Sequence, residues 1–309
     1  MTPRVKRHTF LPVLCAAVVL ATPMKVVAGG EEKVPLLVTP AWLAAHLNDP
    51  DLVVLNVAQN IRSYRTGHIP GSRFLWYNSI AAPTQELNAE LAPLAQLDTV
   101  LEGLGVSTNS RIILCGVMGN VSLTARTYVT LQYLGMGDRT SILDGGFEGW
   151  KAAGNPLSKE TPSFKRGSFT PQLKTDAIVG VDFVKSRVNT TGVTIVDARA
   201  PAFYNGNGGG FPRPGRIPGA RNVYFTTLYD STDKFLPLDS LRARFTAAGI
   251  KLEDELITYC HVGQTASSAY VAARLLGYTV HLYDGSFEDW SGREELPVFV
   301  EPKPDPAKK

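Results

Sequence analysis

Short apolar runs alternate with helical patterns along this chain, most clearly in its second half. Val193 to Val196, Leu256 to Tyr259 and Val280 to Tyr283 are brief stretches rich in β-branched and aromatic residues, the signature of buried strands. Between the last two, Ala266 to Leu276 carries apolar residues at helical spacing and stops at Gly277, a residue suited to a left-handed C-terminal position. Strand, helix and strand joined by short connections predict a parallel sheet covered by helices. Gly154 to about Ile178 is rich in Pro, Lys, Ser and Thr and reads as a linker. Glu301 to Lys309 reads as a disordered Pro/Lys tail.

The first half repeats the second. Gly67-His68-Ile69-Pro70-Gly71-Ser72 echoes Gly215-Arg216-Ile217-Pro218-Gly219-Ala220, and Arg111 to Cys115 echoes Leu256 to Cys260. Tyr128 to Gly135 echoes Tyr270 to Gly277, and Leu143 to Trp150 echoes Tyr283 to Trp290. The offsets, about 140 to 148 residues, are those of a duplicated domain rather than a solenoid. The expected organisation is a first domain over 36–157, a linker over 158–178, a second domain over 179–300 and a tail over 301–309.

Ahead of these lies a different object. Arg4, Lys6 and Arg7 precede an apolar stretch from Phe10 to Met24, and Val26-Val27-Ala28 supplies small or modest residues before a cut after Ala28. That is the three-part pattern of a secretory signal peptide over 1–28. The run is short for a spanning helix, which needs about 20 residues. Cys15 follows Leu14, an unsuitable context for lipid attachment, and no later segment reads as a membrane span. The expected location is the periplasm or the medium, with no membrane association after cleavage. Loss of Arg4, Lys6, Arg7 and Lys25 takes Lys plus Arg from 31 to 27 against 28 acids, a formal charge of −1 in place of +3. The basic excess therefore belongs to the leader and gives no reason to expect a nucleic-acid partner. A hydrophobic content of 44% with 19% charged residues suits a folded globular chain.

Two cysteines remain after the leader, Cys115 and Cys260, far apart and without a CxxC partner. That argues against both a disulfide framework and a zinc site. Cys260 is placed at the C-terminal end of a buried strand, where open α/β sheets hold their ligands. Cys260-His261-Val262-Gly263-Gln264-Thr265 then leads straight into a helix. Amides of such a loop, together with the helix N-terminus, favour a thiolate, a persulfide or an incoming oxyanion. Gly263 suits unusual backbone angles, and Gln264 and Thr265 add side-chain donors. The competing reading is a buried cysteine that behaves as a small hydrophobe.

Taken together, the Asp197-Ala198-Arg199 triplet, GRIPGA with its partner GHIPGS, the Cys260 loop and the two DGxFExW segments resemble the rhodanese family in its tandem, exported form. The resemblance spans about residues 36 to 300. It implies two rhodanese-like α/β domains, each a parallel sheet with helices on both faces, and a site in the second domain near the interface. The implied reaction is a double displacement. Cys260 takes the sulfane sulfur of a small-molecule donor as a persulfide and passes it to a thiophilic acceptor, a small molecule, a thiol or a protein. No metal or organic cofactor is implied. The six residues from Cys260 to Thr265 match the family's sulfurtransferases and not its phosphatases, whose loop is one residue longer.

The chain also departs from the pattern. Val262 and Phe203 stand where thiosulfate-type relatives carry basic residues. His261, Arg213 and Arg216 are candidates to replace that clamp, Arg213 within a glycine-rich insertion (Asn205 to Pro212) able to fold over the site. Arg199 joins the candidate substrate-binding residues (His261, Val262, Gly263, Gln264, Thr265 and Arg213), although an ion pair is the competing role for it. In the first domain Asn56-Val57-Ala58 replaces the Asp-Ala-Arg triplet, and Tyr128 lies 13 residues past Cys115 where Tyr270 lies 10 past Cys260. That domain is expected to be non-catalytic. Thiosulfate is the expected donor, with 3-mercaptopyruvate transfer or a non-turnover sulfane carrier as alternatives. The tryptophans (Trp42, Trp76, Trp150, Trp290) read as core and edge packing, and Glu288 and Asp289 as structural acids.

Overall fold

In the computed structural model, Met1 and residues 35–301 are described. Apart from Met1 and Glu301, the proposed leader and the terminal Pro/Lys segment lie outside those residues. The first half builds a parallel sheet from β1 (Leu37–Val38), β2 (Leu52–Ala58), β3 (Arg73–Trp76), β4 (Arg111–Gly116) and β5 (Thr140–Leu143), in the order β1-β5-β4-β2-β3. The second half repeats it with β6 (Ile178–Val179), β7 (Val193–Asp197), β8 (Arg221–Asn222), β9 (Glu255–Tyr259) and β10 (Val280–Tyr283), in the order β8-β7-β9-β10-β6. Read from the β1 and β6 edges, the two orders are the same. In each half the central strand, β4 or β9, carries a cysteine at its C-terminal end: Cys115 is the last but one residue of β4, and Cys260 directly follows β9.

The central strands are buried on both faces, which is why they read as continuous apolar runs. Outer clusters centred on Trp150 and on Trp290 close one face of each sheet. The inner faces share one cluster that runs through both halves, from Leu55 and Leu114 to Leu256 and Leu282. Two helices occupy its middle, α1 (Val121–Tyr133) and α3 (Ala266–Leu276), each lying on its own sheet and against the other. Every residue from Ser122 to Leu131 is buried as a result, including Arg126. Gly277 closes α3 at φ +90°, a conformation glycine reaches without a Cβ penalty.

Two further helices, α2 (Gly146–Ala152) and α4 (Ser286–Gly292), are the repeated DGxFExW segments. Trp150 and Trp290 are fully buried and donate from Nε1 to the carbonyls of Pro156 and Pro297, each at 2.8 Å, so both copies lock the chain that leaves them. Trp76, by contrast, is largely exposed. The proline-rich stretch after Gly154 contains no helix, but it is not loose. Ser158 exchanges backbone hydrogen bonds with His68, and Gly167 donates to Glu102.

Candidate active site

Cys260 follows β9 directly and is 1% exposed. Its position is fixed by the start of α4. The Cys260 N–H donates to Ser286 Oγ at 3.1 Å, and that hydroxyl donates to the Tyr283 carbonyl at 2.8 Å. Phe287 and Glu288 donate their N–H groups to the carbonyls of Cys260 and His261, at 3.1 and 3.0 Å. Ser286 takes φ +52°, and its counterpart Gly146 takes φ +54°. The DGxFExW element thus clamps the strand end on which the sulfur sits.

The loop then turns at Gly263, at φ +77°. A Cβ there would lie 2.7 Å from Arg126 Nη1 and 2.7 Å from the Asp284 carbonyl, so only glycine fits this close approach. Ser267 Oγ donates to the Gly263 carbonyl at 3.0 Å, and Gln264 Nε2 reaches Ser122 Oγ in α1 at 3.3 Å. The N–H groups of His261 to Ala266 are engaged by no protein group among the described residues. A run of amides ahead of a helix N-terminus is a ready receptor for negative charge.

One wall of the site comes from the first half. Arg126 is fully buried and its Nη1 lies 2.5 Å from Asp284 Oδ1. Burial works against its charge, but Asp284 and Tyr77 outweigh it and raise the pKa overall. Asp284 Oδ2 accepts the Leu91 N–H at 2.9 Å, Glu288 accepts the Asn88 N–H at 2.9 Å, and Arg126 reaches the Ala89 carbonyl at 3.4 Å. Tyr77 is within electrostatic reach of Cys260. Its phenol is pushed up to about 12, chiefly by burial, with Arg126 opposing and Asp284 and Cys260 adding. Glu90 is pushed up to about 7 by burial first and then by Asp284, against the pull of Arg126.

The sequence candidates separate on this map. His261, Val262, Gly263, Gln264 and Thr265 form the loop. Arg199 is buried beside it, but Nε and Nη2 bind Asp197 at 2.9 and 2.6 Å and Nη2 also binds the Gly215 carbonyl at 2.7 Å. Asp197 in turn accepts the Tyr259 hydroxyl at 2.6 Å, and that oxygen accepts the Ile217 N–H at 3.2 Å. The Asp-Ala-Arg triplet and the GRIPGA segment are therefore two ends of one buried network beside the cysteine. Arg213 is committed as well. It donates to the carbonyls of Ser291 (3.0 Å), Leu296 (2.7 Å), Trp290 (3.1 Å) and Arg293, closing the C-terminal end of α4. Arg216 pairs with Glu301 at 2.6 Å and lies between the rings of Tyr204 and Phe299. The insertion does reach the site, through Phe211 instead of Arg213. The Phe211 ring stacks on His261 (5.2 Å, 11°), and Phe203 meets His261 edge-on (4.5 Å, 90°). Burial, joined by the Arg199 cation, lowers the His261 pKa.

The equivalent place in the first half is filled differently. Cys115 is fully buried, its thiol pushed up to about 12 by burial alone. The Gly119 N–H in the following loop is taken by the carboxylate of Asp233, at 2.6 Å. Asp144 accepts the Phe235 N–H at 3.1 Å, as Asp284 accepts that of Leu91. Each half thus lends an arm to the other's cysteine loop. Sequence reading missed Arg126, Tyr77, Glu90 and Phe211. A signal was present for Arg126, the one charged residue in the helical run from Val121 to Tyr133.

The rhodanese-like domain model matches twice, over 39–153 and 181–293. Among curated proteins, the chain is 30% identical to a 3-mercaptopyruvate sulfurtransferase of Escherichia coli K12, over 83% of this chain and 95% of that protein. It is 28% identical to a thiosulfate sulfurtransferase of Azotobacter vinelandii (85% and 97%) and 30% identical to the sulfur carrier protein TtuD of Thermus thermophilus (85% and 96%). Among solved structures, YnjE superposes with TM-score 0.78 at 24% identity, over 87% of this chain and 69% of that one. The anaerobic ergothioneine biosynthesis enzyme of Chlorobium limicola gives 0.76 at 21%, over 86% and 70%. Identities this low speak for the fold alone. The chain belongs to the rhodanese family and carries that family's domain in tandem. Thiosulfate and 3-mercaptopyruvate sulfurtransferases are among the relatives it matches over nearly their whole length, and sulfur transfer is its class of reaction.

Proposed function

We propose that this protein moves the sulfane sulfur of thiosulfate, or of a similar donor, to a thiophilic acceptor through a persulfide on Cys260. The Cys260 thiolate attacks the terminal sulfur, the S–S bond of the donor breaks and sulfite leaves with the electron pair. The acceptor, cyanide in the simplest case, then attacks the outer sulfur of the persulfide and restores the thiolate. The observation that carries this reading is the run of unengaged amides from His261 to Ala266, beside a strand-end thiol and ahead of α3. In this reading the loop itself is the anion receptor, and Arg199 and Arg213 hold structure. The first domain supplies the wall behind the loop and no nucleophile, because burial keeps Cys115 protonated.

Purified protein is expected to form thiocyanate from thiosulfate and cyanide, and Cys260→Ser to abolish it. Normal thiocyanate production by that variant would remove the nucleophile. A sulfane-carrier role is the second reading, favoured by the commitment of every nearby arginine to other protein groups. It expects a stable extra sulfur mass on Cys260 with negligible turnover. We further propose export to the periplasm or the medium on the strength of the N-terminal sequence pattern. N-terminal sequencing of the extracytoplasmic protein should then start at Gly29, and a cytoplasmic chain that keeps Met1 would overturn it.

A further inference from the structure

We propose that Phe203, His261 and Phe211 set the donor specificity of the Cys260 site, selecting an organic sulfane-sulfur donor that carries an apolar or aromatic group over inorganic thiosulfate. This rests on the persulfide reading above and narrows its donor. Phe203 and Phe211 both pack on His261, the residue next to the nucleophile, and these three rings are the mouth of the proposed donor site. Each is half-buried, so each keeps part of its surface open. Phe211 also packs edge-on against Phe287 (5.4 Å, 83°), whose ring carries the Arg199 guanidinium at 4.0 Å from its centroid.

The mouth is built rather than incidental. Gly208 lies so close to the Phe203 ring that a Cβ there would sit 2.1 Å from a ring carbon, so the insertion is moulded onto that side chain. Two residues after Phe211, Arg213 fastens the same segment to the end of α4 through its carbonyl bonds. Arg213 is therefore a positioning residue for Phe211.

The loop amides can hold an anion, but side-chain charge adds little for a small dianion. Arg126, Arg199, Arg213 and Arg216 are all committed to other protein groups. His261, its pKa lowered, is uncharged at neutral pH. Ring faces carry negative quadrupole density, which repels an anion and welcomes apolar contact. An aryl thiosulfonate presents one negative charge to the loop amides and a ring to the mouth. Its chemistry balances without any outside oxidant or reductant. The Cys260 thiolate bonds to the terminal sulfur, the donor S–S bond breaks, and arenesulfinate leaves with the electron pair.

Kinetics with benzenethiosulfonate and thiosulfate as alternative donors and cyanide as common acceptor test this, with the extra sulfur on Cys260 followed by mass. Wild-type kcat/KM should be higher for benzenethiosulfonate by at least about 10-fold, the scale of one good apolar contact. Phe203→Arg should invert or abolish that ratio by restoring a cation, and Phe211→Ala and Arg213→Ala should each lower it by about 10-fold. A general loss of fold would depress both donors together and leave the ratio unmoved. A wild type that prefers thiosulfate, or ratios unchanged across the three variants, would overturn the proposal while leaving the persulfide reading intact. No added sulfur from either donor would remove the persulfide reading and this one with it.

Discussion

At the scale of single residues, burial and charge pairing assign different roles to chemically similar groups. Cys115 and Cys260 stand at the ends of equivalent strands, Cys115 just inside and Cys260 just beyond, yet Cys115 is held protonated by burial and its loop is already occupied by Asp233. Glu90 shows the same physics in a carboxyl. It faces Asp284, Glu288 and Asp289 from the second domain, with Arg126 as the opposing charge, and its pKa rises from 4.5 to about 7. The folded protein therefore holds a proton that the unfolded chain has released across that interval. Stability from this group is complete below about 4.5 and is lost as the pH climbs through about 7. Glu90→Gln should flatten this dependence. The difference in urea midpoint between wild type and variant, measured at pH 5 and pH 8, should favour the variant more at pH 8. An equal difference at both pH values would show that Glu90 titrates normally.

At the scale of elements, most of what positions the site was legible in the sequence. Val193 and Val280 head strands, Leu256 is the second residue of one, and Ala266 to Leu276 is a helix to the residue, because a sheet buried on both faces demands continuous apolar runs and Gly277 marks the stop. The repeated DGxFExW and GRIPGA segments were visible as patterns, but their work was not. That depends on hydrogen bonds between residues distant in sequence, as in Ser286 to Cys260 and Ile217 to Tyr259. Arg213 illustrates the limit most plainly. Its place in a glycine-rich insertion suggested an anion ligand, and only the fold shows that four carbonyls at the end of α4 consume its donors. The loop element itself hinges on Gly263. Gly263→Ala should cost about 1–3 kcal/mol through its left-handed backbone and the contacts its Cβ would make, and should depress sulfur transfer with it. Denaturation and thiocyanate assays check both; unchanged values would mean the loop relaxes freely.

At the scale of the whole molecule, the two halves meet through a shared apolar cluster with one buried ion pair at its edge, Arg126 to Asp284. Removing one partner of such a pair leaves an uncompensated buried charge. Arg126→Met should therefore destabilise the chain by about 3–5 kcal/mol, and adding Asp284→Asn should recover part of that loss. Urea denaturation of the single and double variants measures the coupling. Strictly additive losses would show that the two charges do not interact.

The arms that cross between the halves carry a further implication. Leu91 answers Asp284 and Phe235 answers Asp144, so a shift in either segment is felt in the opposite copy. The copy that buries Cys115 is thereby tethered to the copy that holds Cys260. Neither can drift or shrink without opening a hole in its twin, so the packing of each copy is a constraint on the other.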